Sequence, residues 1–175
     1  DALSLEDIAF YVAYEETMIE KQAEIYSLSD ADAYWKQYVG GENVKEAGKQ
    51  AVLDMAVHDE IFYCMAKEEG LELSPEENAA LVSKEGDFWA DLTEEQKERL
   101  GVTEQKISDT MFRLALAEKY QTVLTERNSF DEEGHTYESY GVSGSNYKKI
   151  LEDHTYSVNE KVWDKIDFGN VIVER

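Results

Sequence analysis

The stretch EEGLELSPEE, residues 68–77, ends one helix and begins another within ten residues. Gly70 has no Cβ and can adopt the left-handed backbone that ends a helix. Ser74 can cap the following helix, and Pro75 occupies a position where a missing N–H costs nothing. Glu77 lies three residues after Ser74 and completes a capping box. The stretch therefore predicts a tight joint that holds two helices at a fixed angle, so that an apolar cleft persists between them.

Length and composition indicate one folded domain. A chain of 175 residues buries roughly 70% of its unfolded surface, which is enough for a self-sufficient core. Apolar residues make up 42% of the chain and include 11 tyrosines, so this is not a disordered acidic tail. One proline and ten glycines leave room for long uninterrupted helices.

The net charge of −22 limits the classes of partner. Such a field repels phosphate backbones, and the lysines are scattered instead of forming a basic patch, so nucleic acid is not an expected partner. Anionic membrane surfaces are disfavoured for the same reason. The chain has no apolar run near the roughly 18 residues of a membrane span. The simplest interpretation of the charge is a solubilising surface.

Apolar residues at helical spacing predict a mainly α fold, a multi-helix domain with long antiparallel helices. The third helix carries apolar residues on more than one stripe, including Leu53, Val57 and Ile61, so we expect it to be central and buried on several sides. An irregular loop is expected at 128–145, and the closing FGNVIVE alternates like a strand. Helices are predicted at 4–28, 30–39, 43–69, 74–85, 93–100, 103–127, 146–153 and 157–166, and a strand at 168–173.

No residue pattern carries a recognisable catalytic site. The chain has no Gly-x-Ser-x-Gly elbow and no glycine-rich phosphate loop. His58 follows Asp54 on one helix face, but a helix-bundle metal site needs more ligands, so we interpret His58 as a hydrogen-bonded helix residue. Glu132 and His135 have the Glu-x-x-His spacing of metal ligands, but they lie in a glycine-containing loop that cannot hold their side chains in a fixed orientation. Cys64, the single cysteine, lies in an apolar run and is expected to pack as a small hydrophobe. We expect no enzyme activity, metal or cofactor.

The joint and its surroundings resemble a known family. QAVLDMAVHDEIFYCMAKEEGLELSPEENAAL, continued by GVTEQKISDTMFRLALAEKYQTVL, resembles the N-terminal chaperone domain of SurA/PrsA-type peptidyl-prolyl isomerases. The resemblance covers about two thirds of the chain and rests on the sequence signals of two helix joints. The matching residues are Ala66, Gly70, Leu71, Leu73, Ser74, Glu76 and Glu77, then Gly101, Val102 and Thr103.

The resemblance implies a chaperone-like (holdase) domain that binds unfolded or extended polypeptide outside the cytoplasm, in an exported or cell-surface-anchored bacterial protein. It also implies the loss of prolyl isomerase activity. In the family a parvulin domain of about a hundred residues accompanies this module, and the 128–145 loop is too short to hold one. Whether a signal peptide or a lipid anchor precedes Asp1 is not decided by the sequence.

Five aromatic residues are candidates for contacting such a polypeptide, because aromatic side chains re-pack against varied sequences. The alternative is that these side chains cap the core at helix ends. The candidates are Tyr34, Trp35, Tyr38, Phe88 and Trp89.

Two other functions remain open. A non-catalytic adaptor or structural domain would keep the fold and bind one folded protein. A helical-bundle enzyme or metalloprotein would need a site that the sequence does not show. In addition, the strand at 168–173 requires a pairing partner, and a second copy of the chain can supply it in a homodimer.

Overall fold

The computed structural model describes residues 2–25, 31–128 and 134–171. The fold is mainly α, with long packed helices and one two-stranded hairpin. The helices are α1 Leu5–Ile25, α2 Ala31–Trp35, α3 Val44–Glu68, α4 Pro75–Asp91, α5 Glu94–Leu100, α6 Glu104–Asn128, α7 Ser145–Glu152 and α8 Glu160–Trp163; the strands are β1 Tyr38–Val39 and β2 Glu42–Asn43, and a 3₁₀ turn spans Glu138–Tyr140.

The helix joint forms as its sequence predicts. The Ser74 amide donates to the Glu77 carboxylate at 2.6 Å, and the Glu77 amide donates to the Ser74 hydroxyl at 3.2 Å. Gly70 takes the left-handed conformation, with φ of 71°. A second capping box opens α5. These local hydrogen bonds set the ends of α3, α4 and α5.

The second predicted helix is shorter than expected. It was predicted over 30–39, but α2 ends at Trp35 and the chain then turns back as a hairpin that pairs Tyr38 with Asn43. Gly40 and Gly41 form the two-residue loop with φ of 64° and 94°. Two glycines with positive φ suit a tight hairpin turn whose twist matches its strands, which explains why the strand pair replaces the last helical turns.

Helix α4 is longer than expected. It was predicted to end at 85, before Gly86, yet it continues to Asp91. A mid-helix glycine costs only about 1 kcal/mol relative to alanine. Packing offsets that cost, because Phe88 lies on Phe10 of α1 with ring centroids 5.1 Å apart. Phe88 and Trp89, which lie beyond the predicted end at 85, are therefore part of the helix.

The C-terminal segment forms turns where a strand was predicted. Residues 168–171 are turns and bends, and residues 172 and 173 of the expected strand lie outside the described residues. Phe168 is fully buried and packs edge-on against Trp35 at 5.4 Å between ring centroids. The segment is therefore held by the packing of Phe168 and by hydrogen bonds from its backbone amides to Glu16, and not by pairing with another strand. The helix predicted at 157–166 is also shorter and spans only Glu160–Trp163.

Helix α3 packs on both α1 and α6, and these two helices also contact each other. Tyr11 near the start of α1 bonds to Asp59 late in α3, whereas Ile19 later in α1 lies against Gly48 early in α3, so these two helices run antiparallel. The prediction of antiparallel helices holds for this pair.

Helices α3 and α6 run in the same direction. Glu60 pairs with Arg113 at 3.1 Å, and nine residues later Glu69 pairs with Arg127 at 2.6 Å. Helix α4 returns along α6, where Lys119 bonds to Glu77 at 2.5 Å. The two helices that flank the Gly70–Ser74 joint thus both pack on α6, and α4 makes its main contacts with α6 and not with α3.

The buried apolar residues form two clusters. The first core cluster joins α1, α2, the first half of α3 and single residues of α4 and α5 to the start of α6 and to Phe168. The second joins the last half of α3 to the rest of α6, the 3₁₀ turn and α7. The first includes Ile8, Phe10, Val12, Ile19, Tyr34, Trp35, Val52, Ile107 and Phe168, and the second contains Phe62, Ala66, Leu116, Ala117, Tyr120, Leu124, Tyr140 and Tyr147.

None of the described helices is long and apolar enough to cross a membrane.

Candidate functional site

A groove of about 550 Å³ runs along α3. One side is the start of α1 with the residues before it, and the other is the segment that links α7 to α8 and continues into α8. The groove is lined by Ala2, Leu3, Ser4, Leu5, Ile8, Leu53, Ala56, Val57, Glu60, Ile61, Cys64, His154, Thr155, Tyr156, Ser157, Val158, Asn159, Val162 and Trp163.

The floor of the groove is a stripe of α3 side chains, Leu53, Val57, Ile61 and Cys64, which we call the α3 stripe. Residues spaced by three or four lie on one face of a helix. All of them are half-buried. Leu53 and Val57 belong to neither core cluster, so part of their apolar surface remains open to the groove. Such a floor favours an apolar ligand.

The opposite wall is the linker His154–Asn159, which has no helix, strand or turn. Its side chains are exposed except for that of Val158, and Tyr156 is 53% exposed. Within the described part of the chain, the backbone amides of 155–158 donate no hydrogen bond. This wall presents polar backbone to the solvent opposite the apolar floor.

The linker follows α3 in the opposite direction. At one end, Tyr147 of α7 lies on His58 with ring centroids 4.6 Å apart. At the other end, the Lys49 ammonium lies 5.5 Å from the centre of the Trp163 ring, and Lys45 is 3.7 Å from the Asp167 carboxylate. The chain on both sides of the linker is thus held against α3.

Charge in the groove is sparse. Glu60 is the one carboxylate among the described residues that line it, and no lysine or arginine does so. Glu60 pairs with Arg113, whose guanidinium lies 4.8 Å from the centre of the Tyr63 ring. Burial raises the pKa of the Cys64 thiol, and the neighbouring Glu60 charge raises it further. The thiol is therefore held protonated, which makes it a poor nucleophile.

A buried polar cluster lies directly under the floor. Asp59 accepts a hydrogen bond from the Tyr11 hydroxyl at 2.9 Å and contacts His58 Nδ1 at 2.7 Å. His58 Nε2 lies 2.9 Å from the backbone carbonyl of Tyr140. Asp59 and the Tyr140 carbonyl thus engage both ring nitrogens of His58.

The buried polar cluster connects three elements of the fold. It ties α1 to α3 through Tyr11 and ties α3 to the 3₁₀ turn through Tyr140. Burial, together with the Asp59 charge, raises the pKa of Tyr11 far above its ordinary value, so its hydroxyl stays a donor. With both nitrogens of His58 engaged, the ring acts as the hydrogen-bonded helix residue that the sequence predicts and has no nitrogen to offer a metal.

The aromatic residues singled out from the sequence lie away from the groove. Tyr34 and Trp35 are each 5% exposed and belong to the first core cluster, against which Phe88 and Trp89 pack as half-buried residues. Tyr38 is 74% exposed on the hairpin. The structure brings four of these residues together at the core and places one on the surface, and none of them lines the groove.

The sequence contained one signal for the groove. The apolar residues of α3 exceed what one buried stripe requires, and the surplus includes Leu53 and Val57, which form its floor. The linker carried no such signal, because an irregular segment has no periodicity to detect.

Asp54, the other possible metal ligand, accepts a hydrogen bond from Gln50 at 2.7 Å.

Among the described residues, no three histidine, cysteine, aspartate or glutamate side chains come together as a metal site; Glu132, part of the one Glu-x-x-His pair, lies outside them. Compared with known proteins, the chain matches no family model, no curated protein and no solved structure.

Proposed function

We propose that the chain is a chaperone-like domain that holds extended segments of unfolded polypeptides outside the cytoplasm, without prolyl isomerase activity. The observation that carries the proposal is the groove, in which the half-buried α3 stripe faces a linker whose backbone amides at 155–158 have no acceptor in the described part of the chain. An unfolded chain offers apolar side chains and backbone groups at once, and this groove has a surface for each.

The shape of the groove favours a segment of a longer chain. Its volume of about 550 Å³ lies within the usual range for ligand sites, and its lining residues extend over three turns of α3. The floor has aliphatic side chains and a thiol, which contact many sequences with little geometric demand. A site of this kind suits clients of varied sequence.

The charge of the chain favours basic clients. A net charge of −22 attracts lysine- and arginine-bearing segments and keeps a loaded chaperone from self-association. The resemblance of the helix joints to SurA/PrsA-type chaperone domains supports the same function and an extracytoplasmic location. Residues 128–145 are too few to hold an inserted parvulin domain, so the proposed function assigns no isomerase activity to these 175 residues.

The test is light scattering from an unfolded client that is diluted into buffer with and without the protein. We expect the protein to delay aggregation at equimolar ratio. Val57→Asp places a charge on the groove floor and should abolish the delay, whereas Val82→Asp makes the same change at a position on α4 that is 65% exposed. Equal protection by both variants would contradict a role for the groove, and no protection of any client would contradict the holdase function.

An adaptor that binds one folded partner is the second candidate. It is favoured by Tyr38 and Val39, which lie side by side on the hairpin and are 74% and 57% exposed. Exposed aromatic and aliphatic residues are typical of interaction sites. A nanomolar complex with one native protein that is lost on Tyr38→Ser, together with indifference to unfolded chains, would favour this function over the holdase.

A further inference from the structure

We propose that the client segment binds as an added β-strand, pairing its backbone with Thr155–Val158 while its alternate apolar side chains lie on the α3 stripe. The inference rests on the proposed function and specifies the client: an extended peptide in which apolar residues alternate with lysine or arginine.

The linker supplies the pairing edge. The amides of 155–158 have no acceptor among the described residues, and no helix or turn is formed there. Unpaired amides and carbonyls along a non-helical segment are a template for strand addition. The contacts at Tyr147 and Trp163 fix both flanks of the linker, so it need not be ordered by the client.

The floor has a spacing that fits such a strand. Side chains on one face of a strand are about 6.8 Å apart, and side chains at i and i+4 of a helix are about 6 Å apart. The linker runs along α3, as its flanking contacts require. A strand paired to it therefore follows the α3 stripe, and its apolar residues meet Leu53, Val57 and Ile61 in succession.

The other face of that strand points away from the floor. This outer face meets the field of a chain whose net charge is −22, while no lysine or arginine of the described residues lines the groove. Lysine or arginine at these alternate positions is attracted, and glutamate is repelled. Charge complementarity thus favours lysine or arginine at the client positions that face away from the floor.

The test uses a fluorescent eight-residue peptide of alternating valine and lysine, with anisotropy as the readout. Two further peptides have the same sequence and carry N-methyl groups on alternate amides. In one of them the methylated amides point to one edge of the strand, and in the other they point to the opposite edge. In a strand, alternate amides point to opposite edges, so only one of the two methylated peptides should lose affinity, by about 10-fold or more. Hydrogen exchange at residues 155–158 should slow when the unmodified peptide binds.

The outcomes separate the inference from the proposed function. Suppose that Val57→Asp abolishes binding of the unmodified peptide, whereas both methylated peptides bind the native chain as well as the unmodified one does. This result would overturn strand pairing and leave the groove as the client site. Equal loss with both methylated peptides would also overturn it, since pairing uses one edge. Failure of the unmodified peptide and of unfolded clients to bind would overturn the function itself. A valine–glutamate peptide that binds as well as the valine–lysine one would overturn the charge selection.

Discussion

The carboxylate of Glu16 accepts a hydrogen bond from the backbone amide of Gly169, although 153 positions separate them in the chain. The same carboxylate accepts from the amides of Asn170 and Val171 at 3.2 and 3.1 Å. Glu16 is completely buried. Three consecutive amides surround one buried charge, and this arrangement fixes the C-terminal turn to α1 next to the first core cluster.

Glu16→Gln should destabilise the protein by about 2–4 kcal/mol, because an amide has one acceptor oxygen and brings its own donors toward three N–H groups. Urea unfolding should show a lower midpoint with an unchanged slope. Glu6→Gln removes the same charge at an exposed position of α1 and should change the free energy of unfolding by less than about 0.5 kcal/mol. Equal stability of the two variants would contradict this role for Glu16.

Two glycines on helices should respond oppositely to alanine. A Cβ on Gly48 would lie 2.6 Å from the Phe168 ring and 2.7 Å from the Ile19 side chain, so Gly48→Ala should cost about 1–3 kcal/mol. A Cβ on Gly86 meets nothing within 4 Å, so Gly86→Ala should stabilise by about 0.5–1 kcal/mol. Thermal unfolding of both variants measures the difference. A stabilising Gly48→Ala would mean that Phe168 is not packed there.

Removing the Tyr11 hydroxyl from the buried polar cluster should lower the free energy of unfolding. Tyr11→Phe deletes the donor to Asp59 and should destabilise by about 1–3 kcal/mol, because a buried carboxylate loses a partner. Tyr14→Phe is the matched control, since Tyr14 is 45% exposed and should be neutral within about 0.5 kcal/mol. Chemical denaturation of both variants at neutral pH is the measurement. A neutral Tyr11→Phe would show that Asp59 is satisfied without the hydroxyl.

The ion pair between Glu69 at the end of α3 and Arg127 of α6 should make the stability of the protein depend on pH. The Arg127 guanidinium, helped by the Tyr120 hydroxyl, lowers the pKa of Glu69 to about 2 from an ordinary 4.5. A carboxyl with a lowered folded-state pKa stabilises the fold above its unfolded pKa, and this contribution disappears as the pH falls through the folded pKa. The stability difference between the native chain and Glu69→Gln should therefore shrink from pH 4.5 to about 2.

Glu68→Gln is the control for this titration. Glu68 is exposed and forms no ion pair with the described residues. Glu68→Gln removes the same charge from the neighbouring position without breaking the pair with Arg127, so it should not reproduce the effect of Glu69→Gln. A constant difference for Glu69→Gln would show that the pair with Arg127 does not shift the titration of Glu69.

Cys64 offers a direct measure of groove occupancy, since it is the single cysteine and lies on the groove floor. Because burial raises its pKa, alkylation should be slower than for an exposed thiol and should speed up with rising pH. A saturating valine–lysine peptide should slow alkylation further, and mass spectrometry measures the rate. An unchanged rate in the presence of a peptide that binds would place that peptide elsewhere on the molecule.

Signals carried by neighbouring residues were sufficient to predict helix ends. The Ser74–Glu77 capping box and the left-handed Gly70 form as expected, because both partners lie within one turn and need no help from the rest of the chain. The extent of α3 and α6 was also predicted within one or two residues, since long apolar periodicity is a strong signal.

Tertiary contacts decided the rest. Gly86 does not end α4 because Phe88 packs on Phe10, and FGNV is not a strand because Phe168 fills a space next to Gly48. The five aromatic candidates were chosen by residue type, but whether an aromatic side chain is buried depends on which helices meet, and four of them pack at the core.

The sequence by itself thus determined a mainly α chain, the ends of most of its helices and its acidic surface, because these depend on residues close in the chain or on composition alone. Only the tertiary structure decided that α4 packs on α6, that Glu16 holds the C-terminal turn, and that the surplus apolar residues of α3 face a linker about a hundred positions away. Such relationships join residues distant in sequence, and their free energy is gained only when the whole chain has folded around them.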